Sequence, residues 1–277
     1  MKLVVSGIAA LLLSIAGSAA GQTGALPGAT PSAAEQRAKK VIDDAVAALG
    51  GDKFLNMEDR VEAGRAYSFY REQLAGLSIA KIYTRYITVP EGKSGEELGV
   101  RERQAFGKNE DSAVVLREDN AWDINWRGAK ALTKEQFDRY RDSTLRNILY
   151  ILRQRRNEPG LIFEARGVDV VDHQPVETVD ITDSENRVVT VYFNQDTKLP
   201  VKQKFSWRDP QTRERNDEVT TFARYKEVNG IQWPHEITRE RNGERIYQIF
   251  ADSMMFNQDL TDDLFSDTAT GKSAKKK

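Results

Sequence analysis

Between Leu161 and Phe256 the chain reads as seven strand-like segments separated by turn residues at short intervals, a pattern that few folds accommodate. Leu161–Val171, Val176–Thr182, Arg187–Asn194, Leu199–Trp207, Glu218–Lys226, Ile231–Glu240 and Glu244–Phe256 are rich in Val, Ile, Thr and aromatics. Turns fall at residues 183–186, 194–196, Asp209-Pro210, Asn229-Gly230 and Asn242-Gly243. Asn-Gly is a strong hairpin signal because a type I′ turn needs positive φ at both central residues. Strands joined by such tight turns run antiparallel. Val189, Val191 and Phe193 alternate with Val188, Thr190 and Tyr192, while Leu199, Val201, Phe205 and Trp207 stand against Lys202, Lys204 and Ser206. One face is apolar and needs a cover.

Five more strand-like runs precede this meander: Arg60–Arg71, Ser78–Val89, Leu98–Phe106, Ser112–Arg117 and Ala121–Arg127. Two helices can supply the cover. Ser32 and Glu35 form a capping box, after which Val41, Ile42, Ala45, Val46 and Leu49 share one face. Gly50-Gly51 ends that helix. Thr133 and Gln136 form a second box, and the spacing of Phe137, Tyr140, Leu145, Ile148, Leu149 and Leu152 predicts a single helix to roughly Arg155. The expected fold class is α+β: a large, curved antiparallel sheet, a half-barrel, covered by helices within one domain over residues 33–267.

The ends have a different character. Met1-Lys2, the apolar run Leu3–Ala16 and the small residues Gly17-Ser18-Ala19-Ala20 form the pattern a signal peptidase reads, with cleavage expected after Ala20. An uncleaved anchor is the alternative, although the run is shorter than the ~20 residues of a span. Residues 21–32 read as a flexible leader and 268–277 as a disordered basic tail. A periplasmic or secreted location follows, with no transmembrane span in the mature chain. The absence of cysteine leaves stability to a hydrophobic core and fits a bacterial envelope. Lys and Arg number 41 against 42 Asp and Glu, so nothing electrostatic calls for nucleic acid.

Catalytic motifs are scarce. The two histidines, His173 and His235, accompany no Gly-x-Ser-x-Gly elbow, and there is no His-Glu-x-x-His or glycine-rich phosphate loop. His235 is read as a structural strand residue. Asp209, Asp217, Glu218, Asp262 and Asp263 are read as solvated turn acids or caps, against the alternative of a carboxylate pair for hydrolysis. No enzyme, metal or cofactor is expected. Arg139, Arg141 and Arg146 flank the second helix's apolar stripe, either as a solvated face or as a rim for anionic head groups. Trp126, Phe137, Tyr140, Ile148, Leu152, Val189, Val191, Phe193, Val201, Phe205 and Trp207 form either core or the lining of a ligand cavity.

The order of these elements resembles that of the LolA/LolB-like periplasmic lipoprotein-carrier superfamily, and especially its outer-membrane lipoprotein-sorting relatives. The resemblance rests on three stretches: Asp196-Thr197-Lys198-Leu199-Pro200-Val201, then Tyr225 with Asn229-Gly230-Ile231-Gln232-Trp233-Pro234-His235, then Asn257 with Leu260-x-Asp262-Asp263-Leu264-Phe265. It covers roughly residues 36–266. It implies a half-barrel with an apolar concave face, roofed by helices, that holds acyl chains without covalent chemistry. The implied partners are lipid or an acylated protein, with an envelope protein as a further possibility. The resemblance assigns the carriers' functional arginine to no one position here, so it implies no site residue. An envelope interaction module that keeps the fold without bound lipid is the other reading.

Overall fold

The computed structural model describes residues 31–89, 97–209 and 211–267. The expected signal peptide, the leader up to residue 30 and the basic tail lie outside them. After α1 (Ala33–Leu49) and the single turn α2 (Asp52–Leu55) come β1 (Asp59–Tyr70), β2 (Gln73–Tyr86), β3 (Val100–Phe106), β4 (Ser112–Leu116), β5 (Ala121–Asn125) and β6 (Gly128–Ala131). Helix α3 (Lys134–Leu145) and the turn α4 (Ile148–Tyr150), continued as a π-helical turn over Ile151–Arg155, divide the chain in two. Then follow β7 (Ile162–Val171), β8 (Gln174–Thr182), β9 (Val188–Asn194), β10 (Pro200–Arg208), β11 (Arg215–Val228), β12 (Ile231–Arg241) and β13 (Glu244–Phe256).

All thirteen strands form one sheet in the order β6-β5-β4-β3-β2-β1-β13-β12-β11-β10-β9-β8-β7. Every pairing is antiparallel, as the tight turns required. Four two-residue hairpins hold both central residues at positive φ: Arg71-Glu72, Asp172-His173, Asn229-Gly230 and Asn242-Gly243. The first carries neither Asn nor Gly, so β2 begins earlier than its sequence suggests. β6 was not legible either, because Gly128-Ala129-Lys130-Ala131 is wholly exposed and has no alternation.

The sheet is open and curls around α1. That helix meets both β7 and β12, which lie five strands apart in the sheet. Laid flat, those strands would span about 24 Å, twice the width of a helix. Both capping boxes form; for example, Glu35 N donates to Ser32 Oγ at 3.1 Å and Thr133 N to Gln136 Oε1 at 3.0 Å. Ala38, Ile42, Ala45, Val46 and Leu49 of α1 are buried against Val179, Ile181, Val189, Val191, Phe193, Phe222 and Ile231. Each fully buried large side chain here contributes roughly 1.5–3 kcal/mol.

Two expectations need correction. The helix expected over residues 133–155 is broken at Arg146-Asn147. Asn147 is extended (ψ 122°) and its Oδ1 caps the Leu149 and Tyr150 amides. The Ile148 amide donates to the buried Gln203 side chain at 2.8 Å. In its first half the sheet also carries an apolar cluster on the face away from the helices. Val61, Tyr83, Ala105, Ala113, Val115 and Ile124 face away from α3 and are covered by Phe265, Leu260 and Leu264 after the last strand.

The two meanders, β1–β6 and β7–β13, join only through β1 and β13. A bulge at Ala63/Gly64 interrupts that ladder, and a Cβ on Gly64 would stand 1.9 Å from the Phe250 carbonyl oxygen. Gly64→Ala is therefore expected to destabilise the protein by about 2–3 kcal/mol, read as a lowered urea midpoint. An unchanged midpoint would show that the bulge yields freely.

Candidate functional site

Side chains alternate along a strand, so β1 turns Arg60 and Glu62 towards α3 while Val61 faces the opposite side. Ile82, Thr84 and Tyr86 of β2 and Val100, Glu102 and Gln104 of β3 lie on the same side, with Trp233, Ile237 and Arg239 of β12 and Tyr247 and Ile249 of β13. Tyr140, Ser143 and Thr144 of α3, with Asn147, Leu149 and Tyr150, close the top. Together they bound an open cleft of about 360 Å³, within the size range of small-ligand sites. The helix break shapes it: α3 stands over β1–β3 while α4 turns down into the core.

The cleft has an apolar wall and a charged floor. Glu62 is 3% exposed, and among the described residues its Oε1 has no hydrogen-bond partner. The Arg60 guanidinium lies over the Trp233 ring at 4.7 Å, and its Nη2 is 3.8 Å from Glu102 Oε2. Arg60 Nε, Arg60 Nη1 and Trp233 Nε1 are buried and make no hydrogen bond among the described residues. Glu102 is better satisfied: it accepts from Gln104 Nε2 at 2.5 Å and from Thr84 Oγ1 at 3.4 Å.

Burial pushes the Glu62 carboxyl up to about 7; Arg60 opposes the rise and the like charge of Glu102 adds to it. Burial also raises the Tyr86 and Tyr140 hydroxyls. The Tyr150 hydroxyl, pushed up by burial to about 12, accepts from the Gly99 amide at 2.7 Å. Elsewhere Arg155 and Asp183 form a buried ion pair at 3.0 Å that fastens the π-helical turn to β8. Burial pushes Asp183 up, but hydrogen bonds from the Arg187 side chain and backbone and from Arg155 outweigh it and hold the carboxyl low.

Of the expected cavity residues, the structure brings only Tyr140 to this cleft. Ile148, Leu152, Val189, Val191, Phe193 and Phe205 are packed side by side in the core beneath α1, with Trp207 against its edge. Phe137 belongs to a small cluster with Leu116 and Ala121. Val201 is half-buried beside the β9–β10 register shift. Trp126 is 83% exposed in the β5–β6 turn, beneath the Arg127 guanidinium. It does not line this cleft.

Arg139 pairs with Glu135 and Arg141 with Asp138 along α3. Arg146, at the C-cap of α3, has its side chain nearly buried over the Phe205 ring at 5.1 Å. His235 is buried, with Nδ1 3.0 Å from the Trp233 carbonyl oxygen. Asp209 accepts from the Gln211 and Thr212 amides, Asp217 bonds Ser206 and Arg215, and Asp262 pairs with Arg85 and Arg101. Among the described residues no cluster of three or more His, Asp or Glu is placed to hold a metal ion, and no helix is long and apolar enough to cross a membrane.

No protein-family model and no curated protein sequence matches the chain. Solved structures do. A domain named for outer membrane lipoprotein sorting, from Vibrio parahaemolyticus, superposes with a TM-score of 0.55 at 12% identity, over 83% of this chain and 97% of that one. A DUF1329 family protein from Desulfovibrio piger gives 0.54 at 15% identity over the same shares of the two chains. The chain shares the fold of these two proteins. A LolA superfamily protein from Nitrosomonas europaea also matches, with a TM-score of 0.49 at 12% identity, over 83% and 97% of the two chains. In this chain the space between sheet and roof lies over β1–β3, β12 and β13, and its floor carries charge.

The buried Glu62 sets a pH dependence. Its folded-state value lies above the ordinary 4.5, so its contribution is complete below that value and is lost as pH rises through about 7. The loss amounts to roughly 3 kcal/mol. Glu62→Gln is expected to match the wild-type melting temperature near pH 5 and to exceed it near pH 8. Melts in matched buffers would show this, and parallel curves across that range would contradict it.

Proposed function

We propose that this chain is a non-catalytic, periplasmic binder or carrier of a lipid or another hydrophobic ligand, held in the cleft beneath α3. The observation that carries this reading is the unfilled cleft of about 360 Å³, which stands beside a neighbouring core packed solid under α1. A sheet and roof that merely supported one another would pack throughout, since protein interiors leave few voids larger than water. The apolar wall of Ile82, Val100, Leu149, Ile237 and Ile249 can shield an aliphatic chain, at about 0.8 kcal/mol per buried CH₂. The cleft is open, so exchange needs only a small movement of α3. The lipoprotein-sorting domain with the same fold supports the reading at the level of architecture.

A second reading, an envelope interaction module, is favoured by one feature. Tyr70, Leu74, Leu77 and Ile79 on the β1–β2 hairpin are each more than half exposed, more than a solitary surface residue would explain.

Native mass spectrometry with lipid extraction, on protein purified from its own envelope, separates the two. The expected result is a copurified lipid or acylated peptide near one-to-one, lost in Thr144→Trp, which places an indole in the cleft mouth. An apo mass that persists after incubation with envelope lipids would overturn the carrier reading. A stable protein partner in the same preparation would then favour the interaction module.

A further inference from the structure

The carrier reading leaves the floor of the cleft unexplained. An apolar ligand would need no charge there, and burying unpaired polar groups is unfavourable by about 1–3 kcal/mol each. Yet three N–H groups, Arg60 Nε, Arg60 Nη1 and Trp233 Nε1, lie buried without partners among the described residues, beside the equally unpartnered Oε1 of Glu62. Arg60 stacks on Trp233 at 4.7 Å, and Arg60 and Glu62 lie on one face of β1. Glu102 does not satisfy Arg60: the contact is 3.8 Å, too long for a hydrogen bond. Glu102 is instead occupied by Gln104 and Thr84.

We propose that the cleft binds a single-chain amphiphile head-inward, its carboxylate seated on Arg60 and Trp233 at the floor and its aliphatic chain lying against Ile82, Leu149, Ile237 and Ile249. This rests on the carrier reading and adds the class of ligand and its direction. A carboxylate is acceptor-only and meets donors from two or more sides, which is what the floor offers. Charge agrees. Arg60 and Arg239 are the cations of the lining, and Glu62 and Glu102 the acids. With Glu62 protonated, one added carboxylate brings the lining to neutrality, and the Glu62 hydroxyl becomes a further donor. With Glu62 ionised, the same ligand would add a third negative charge.

Binding is therefore coupled to one proton on Glu62. The titratable groups that line the cleft with it are Arg60 on its own strand, Tyr86 of β2, Glu102 of β3, Arg239 of β12, Tyr247 of β13, Tyr140 of α3 and Tyr150 of α4. Burial lifts all four tyrosines above their ordinary range, so they stay neutral throughout. Glu62 itself changes charge near 7, well above the ordinary range of a free carboxylic acid.

The test is calorimetric titration of delipidated protein with dodecanoate and with dodecan-1-ol, at sub-micellar concentration, between roughly pH 6 and pH 8. Dodecanoate is expected to bind the more tightly and to weaken by up to about tenfold per pH unit above 7, while the alcohol stays level. Glu62→Gln should abolish the pH dependence and retain binding. Arg60→Met should weaken dodecanoate by about tenfold to a hundredfold and leave the alcohol unchanged. Trp233→Phe, which keeps the ring and removes one donor, gives a milder loss of the same sign should Arg60→Met fail to fold. If the alcohol binds as well as the acid, and neither charge variant alters their ratio, the head-inward assignment is overturned and the carrier reading stands. If neither compound binds, both fail together.

Discussion

The pairing of β1 with β13 is the constraint on which the rest of this structure depends. Every other ladder joins strands that are neighbours in sequence and can form locally. The β1–β13 ladder joins the first strand to the last and fuses two meanders into one sheet. Its closure entropy must be met by contacts made only once it has formed. The fold supplies them on both sides. Asp59, almost fully buried, accepts from the Gln258 and Leu260 amides at 2.7 and 3.0 Å, and Asn257 N donates to the Asp59 carbonyl at 3.0 Å. Gly64 allows the strands to approach at the bulge. The chain beyond β13 then folds across the outer face and buries Phe265.

That junction also places the cleft. Curling the second meander around α1 fills the concave face from β7 to β12 with side chains. Beyond the junction α1 no longer reaches, and α3 takes over as roof. The two roofs differ in apolar character: α1 presents five buried residues, whereas α3 buries only Phe137 and Leu145. A roof with so little apolar surface cannot pack flat on the sheet. The gap beneath it is held by the break at Asn147, where Gln203 takes the Ile148 amide, and by Arg153, which donates to the Met57 carbonyl at 2.9 Å.

Much of this was legible in the sequence. Both capping boxes, the Asn-Gly hairpins, the antiparallel meander and the apolar face of α1 depend on residues within a few positions of one another, and local chemistry decides them. Two further features are local but disguised. Arg71-Glu72 turns without Asn or Gly, and Asn147 caps a new helix inside a pattern whose apolar spacing runs on unbroken. Val189, Val191, Phe193, Phe205 and Trp207 lie in one core, as their alternation implies, but a face reads the same whether a helix or a ligand covers it.

The site itself was hidden because charge in a strand looks like a solvent-facing side. Arg60 and Glu62 alternate with Val61 as residues of an exposed face would. The sequence by itself determined strand direction, helix starts and which residues share a face, because these follow from turn geometry and side-chain alternation. Only the tertiary structure decided which half of the concave face is core and which is cleft. That depends on how far α1 reaches across a sheet closed by its two most distant strands, and no local pattern encodes such a distance.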